Sequence, residues 1–120
     1  MEIKWKSEVD LHDYAAAADY LELIYPWAHV SIVVEKLKSA DLTSKKAKDI
    51  IRASGSARLG KKDPSVAGDL KKIKKGEMIS PILLVRVDRE KLIIADGFHR
   101  TCAAYLVDEN TEIPCKLVSA

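Results

Sequence analysis

Apolar residues recur at three- and four-residue spacing through the first half of the chain and in short continuous runs through the second. That pattern predicts helices followed by a mixed strand and helix unit. Tyr14, Ala17, Leu21 and Ile24 lie on one stripe, which predicts a helix from a cap at Asp10 through Ile24, stopped by Pro26. Val30, Val33, Val34 and Leu37 predict a second helix over 28–38, with a strand left open as the alternative because its β-branched content is high. Ser39-Ala40-Asp41 is a short break. Thr43 or Ser44 is then placed to cap a third helix through Ala53, with Ala47, Ile50 and Ile51 facing inward and Ser54-Gly55-Ser56 as its stop.

The second half changes period. Asp63 followed by Pro64 is a helix start, because an aspartate cap and a proline at the first helical position both suit the unpaired amides there, and Gly76 ends that helix. The run 82–87 is too apolar to be half-exposed and predicts a strand in the sheet interior. Asp88-Arg89-Glu90 is read as a turn, 91–95 as a second buried strand ending at Asp96-Gly97, 98–107 as a helix, and 113–118 as a final strand after Asp108-Glu109-Asn110. The C-terminal half therefore reads αββαβ, and the fold class is α/β with a small mixed sheet.

With 120 residues, 48% hydrophobic and 32% charged, the chain has the size and balance of one domain, 1–120. No apolar run approaches the ~20 residues of a spanning helix, so no membrane partner is expected. The start Met1-Glu2-Ile3-Lys4-Trp5-Lys6 has no apolar leader segment, which sets the expectation of a cytoplasmic protein. Cys102 and Cys115 form neither a disulfide framework nor a metal-binding pair. The net charge of +2 is unevenly spread: −5 over 1–35, +9 over 36–75 and −2 over 76–120. The basic stretch 36–75, with Lys71-Lys72-Ile73-Lys74-Lys75 at its end, is either a solvated helix face or an electrostatic footprint for phosphate and nucleic acid.

Candidate chemistry centres on Asp96-Gly97-Phe98-His99-Arg100, where a buried strand hands over to a helix whose free amides and dipole favour an anion. Gly97 lets the backbone approach a phosphate. His99 could donate or transfer a proton, Arg100 offers a fork of donors, and Asp96 could position a metal or a hydroxyl. The alternative is a plain capped turn with His99 and Arg100 solvated. Glu8, Asp10, Asp13 and His12 could bind Mg²⁺, although acids in a first helical turn are expected from the dipole alone. Trp5, Trp27 and Tyr14 could stack a base or belong to the core. The segments 28–38 and 43–53 form a helical hairpin or, less readily, a DNA-reading pair.

The loop 96–100 continues as Thr101-Cys102-Ala103-Ala104-Tyr105. It is preceded by Leu92-Ile93-Ile94 and followed by Ile113-Pro114-Cys115-Lys116-Leu117-Val118. The whole resembles the signature of the ParB/sulfiredoxin superfamily, whose members carry a Gly-x-His-Arg or Gly-Glu-Arg-Arg loop before a helix with paired alanines and then an Ile-Pro-x-x-Val strand. The helix ending at Gly76 and the strand Ser80-Pro81-Ile82-Leu83-Leu84-Val85 fit the upstream part of that pattern, so the resemblance covers about 58–118 and leaves 1–57 as a helical extension.

The resemblance implies a nucleotide (ATP, ADP or CTP) with Mg²⁺. Gly97, His99, Arg100 and Thr101 of the loop, with Lys71 and Lys72 of the preceding helix, would bind phosphate. His99 and Asp96 would be catalytic, and Asp96 would be the metal ligand. Phe98 stands where sulfiredoxin has its cysteine, so sulfinic acid reduction by that route is not expected. Within these residues no helix-turn-helix domain of the ParB type follows, so sequence-specific partition is not expected either. The loop is most similar to the Asp-Gly-His-His-Arg of ParB-like proteins that include a free-serine kinase, and phosphoryl transfer or nucleotide hydrolysis is the first reading. The alternative is a nucleotide-responsive DNA-binding or partition-accessory module, contacting DNA weakly and without sequence preference through 36–75. A second copy of the chain, forming a homodimer, is a further candidate partner.

Overall fold

The computed structural model describes residues 1–88 and 91–120. Helices α1 (Leu11–Leu21) and α2 (Trp27–Ser39) are followed by strand β1 (Thr43–Lys46) and helices α3 (Ala47–Ser54) and α4 (Pro64–Lys74). Strands β2 (Ile82–Arg86) and β3 (Leu92–Asp96), helix α5 (Phe98–Val107) and strand β4 (Glu112–Ser119) complete the order. The sheet runs β1-β4-β2-β3, with β4 parallel to β2 and the outer two pairings antiparallel. No helix among the described residues is long and apolar enough to cross a membrane.

Apolar stripes on the helices dictate the layering. On one face Ala17 and Leu21 of α1 and Val30, Val33 and Leu37 of α2 close over Leu83, Val85 and Ala95 of the sheet. On the other, Ala47 and Ile50 of α3 and Ala104 of α5 meet Ile82, Leu84, Ile113 and Cys115. Helix α4 lies outside α5, joined to it through Val66, Ile73, Cys102 and Ala103. The N-terminal segment is tied beside the start of β2 by Lys6 N–H donating to Ile79 O (2.8 Å) and Ile79 N–H donating to Lys4 O (2.9 Å).

Four differences from the sequence reading have physical causes. Thr43 and Ser44 cap no helix: 43–46 is a fully exposed strand, held by antiparallel pairing with β4 from Thr43↔Cys115 to Lys46↔Glu112. Residues 1–57 are therefore not a purely helical extension, since they supply an edge of the sheet and cover one of its faces. Asp10 stands at the start of α1 without a side-chain bond to its amides, because Lys6 Nζ holds its carboxylate at 2.9 Å. Helix α1 ends at Leu21, three residues early, and the turn carries Ile24 out to 45% exposure. The expected turn at 88–90 falls partly outside the described residues. Segment 28–38 is helical despite its β-branched content, and the Asp63-Pro64 start holds, with the Asp63 carboxylate accepting from Ser65 and Val66 N–H at 3.0 Å each.

Candidate functional site

The handover from β3 to α5 depends on Gly97. Its φ is +103°, a left-handed conformation that side chains resist, and a Cβ there would collide with Ile82 Cγ2 and come within 2.8 Å of Ile82 Cβ. The glycine thus lets α5 start hard against β2. As helix cap, Gly97 has no side chain to satisfy the first turn, so the amides of Phe98, His99 and Arg100 have no bond partner among the described residues. Thr101 closes the turn: its N–H and its hydroxyl both donate to Gly97 O, at 2.9 and 2.8 Å.

Below this turn lies a partly buried charged cluster. Arg100 Nη2 donates to Asp96 Oδ2 (2.9 Å), Asp13 Oδ2 (3.2 Å) and Pro81 O (3.3 Å), while Ser80 Oγ donates to Asp13 Oδ2 at 2.7 Å. The Asp13 side chain is only 5% exposed, and His12 Nε2 lies 3.2 Å from its other oxygen. Two carboxylates share one guanidinium, so the cluster carries an excess negative charge when both are ionised. Burial pushes the Asp96 carboxyl above the usual carboxylate range, against the pull of Arg100 and in the same direction as neighbouring Asp13. Arg100 also borders a cavity of about 140 Å³ with Lys6, Asp10, His12, Asp69 and Lys72. There burial raises the Asp69 carboxyl, against the pull of Arg100.

A second, larger concavity of about 880 Å³ follows β3. Tyr20, Ile24 and Tyr25 form one wall, Ser54-Gly55-Ser56 the other, and Asp96, Phe98 and His99 one end. His99 is exposed, edge-on to the Phe98 ring at 5.6 Å between centroids, with Nε2 at 4.0 Å from Asp63 Oδ1 at the start of α4. That proximity brings the first turns of α4 and α5 together.

Of the residues singled out from the sequence, Asp96 and His99 line one end of this groove and Gly97 shapes it. Arg100 differs from expectation: its Nη2 is committed to two carboxylates and a carbonyl, and its Nε is buried without a partner, so it is not the open fork the motif suggested. Thr101 is fully buried as the lock of the turn. Lys72 borders the smaller cavity, and Lys71 is exposed and lines neither cavity. Both cysteines are buried, and burial raises their thiols, Cys115 to about 11, which keeps them protonated at neutral pH.

The sequence offered Asp13 only as a candidate Mg²⁺ ligand, not as the partner of Arg100, and Ser80 was missed. Asp13 carried a signal, standing four residues before Ala17 on the apolar stripe of α1, where a charge needs a buried partner. Asp10, His12 and Asp13 bring ligand atoms within 4.8 Å of one another. Lys6 already pairs with the Asp10 carboxylate, and Arg100 with that of Asp13. Asp96 keeps one oxygen outside its bond to Arg100, enough for a Mg²⁺ held mainly by nucleotide phosphates. Comparison with protein-family models, curated proteins and solved structures finds no significant match.

Proposed function

We propose that the chain binds a nucleotide, ATP, ADP or CTP with Mg²⁺, and acts on it by phosphoryl transfer or hydrolysis, as a domain of ParB/sulfiredoxin type. One observation carries this reading: the left-handed Gly97 presents uncapped first-turn amides of α5 at the same end of the groove that Asp96 and His99 line. Amides at a helix start favour phosphate oxygens, and the groove behind them has the volume of a small-molecule site. In this reading the amides of Phe98, His99 and Arg100 hold phosphate, and His99 moves a proton or donates to phosphate. Asp96 would hold Mg²⁺, which would supply charge neutralisation on the phosphates. Arg100 acts one step back, fixing Asp96 against Asp13.

The test is a thermal-shift panel of ATP, ADP, CTP and GTP with Mg²⁺, followed by phosphate release. A nucleotide at ~100 times its dissociation constant adds about 2.7 kcal/mol of stability. His99→Ala is expected to reduce turnover more than binding. No shift with any nucleotide would remove the reading.

A further inference from the structure

β3 is an edge strand whose outer side is open. Val87 N–H donates to Lys91 O, so Val87↔Lys91 is a hydrogen-bonded pair, and the alternation of an antiparallel ladder makes Arg86↔Leu92 and Leu84↔Ile94 the non-bonded pairs. Leu92 and Ile94 therefore point N–H and C=O away from β2, where no described backbone group meets them. This edge reads Leu-Ile-Ile-Ala-Asp, apolar up to Asp96 at its last position and without proline, whereas the opposite edge, β1, is polar and exposed with Lys45 and Lys46. The open side of β3 is the floor of the large groove. Tyr20, Ile24 and Tyr25 rise from the α1 face of the sheet, and Ser54-Gly55-Ser56 from the α3 face. A floor recessed between two walls admits a single extended chain and keeps out the edge of a second whole sheet. The groove ends differ: exposed Lys91 stands at one, and at the other Asp96, whose Oδ2 is bonded to Arg100 and whose second oxygen lies outside that bond.

We infer that β3 accepts an extended peptide as an added strand, antiparallel to β3, with a basic or amino-terminal residue at the Asp96 end and an acidic residue at the Lys91 end. Main-chain bonds to Leu92 and Ile94 supply affinity. Side chains on one face of the peptide meet the tyrosines and Ile24, where apolar groups fit; those on the other meet the serine and glycine wall. This inference does not depend on the nucleotide reading, and its test contains no nucleotide.

The probe is a short peptide alternating valine and serine, with lysine first and glutamate last, titrated into the full chain. Amide exchange is followed at Leu92 and Ile94. Both amides are expected to exchange quickly in the free protein and to slow on binding. N-methylating the peptide amides that face β3 is expected to weaken binding by about tenfold or more. Exchanging the peptide's lysine and glutamate is expected to weaken it by a smaller factor. Ile94→Pro removes one outward donor at an edge position and is expected to lose the peptide; if that variant does not fold, the N-methylated peptide gives the same information from the ligand side. No binding, binding indifferent to N-methylation, or protection of Leu92 and Ile94 by self-association of the free chain would each overturn the proposal.

Discussion

Gly97 and Arg100 show how much of this molecule hangs on single side chains. Gly97→Ala puts a Cβ into Ile82 and forces a non-glycine residue to a φ of +103°. A loss of about 2–4 kcal/mol is expected in urea unfolding, more than a surface glycine in an ordinary turn would give. Arg100→Ala leaves Asp13 buried without its cation, and a loss of about 3 kcal/mol is expected, so the residue is part of the fold as well as of the site. Arg100 and Asp13 should also be strongly coupled in a double-mutant cycle, with the pair of substitutions costing less than their sum. Asp69 works the other way. Its carboxyl is raised by burial, so the folded state holds that proton more tightly than the unfolded chain does. Its favourable contribution is present below the ordinary value of 3.8 and is lost as pH rises through the folded value. Asp69→Asn is therefore expected to be more stable than the parent at pH 7, with the gain vanishing near pH 3; unfolding at the two pH values checks this.

At the scale of elements, what was legible follows from where the information lies. Helix α4 was readable because Asp63 and Pro64 state its start locally. Asp63→Ala is expected to cost about 1 kcal/mol, measured by thermal unfolding, since two amide bonds are lost. β2 and β3 were readable as apolar runs, and α5 as the helix after Asp96-Gly97. β1 was not, because Thr43-Ser44-Lys45-Lys46 has no apolar alternation and becomes a strand only through partners near residue 114. The site was half legible. The turn 96–99 is contiguous, whereas the bond from Arg100 to Asp13 spans 87 residues and is set by how α1 crosses β3. An isolated charge on an apolar stripe was the one local trace of it.

Across the whole molecule, a sheet covered by helices on both faces brings two separated segments to one place: α1 supplies Asp13, and the β3 to α5 junction supplies Asp96, Gly97, His99 and Arg100. The groove along β3 ends at that junction, so a phosphate on the α5 amides and a ligand along the strand would be neighbours. We propose that the first turn of α5 binds nucleotide phosphate. The most direct measurement is a titration of the isotope-labelled chain with Mg²⁺ and the nucleotide that stabilises it most, following backbone amide resonances. The largest shifts are expected at Gly97, Phe98, His99 and Arg100, and Thr101, whose N–H is already bonded to Gly97 O, is expected to move less. Saturable shifts confined to other parts of the chain, or none at any nucleotide concentration, would contradict it.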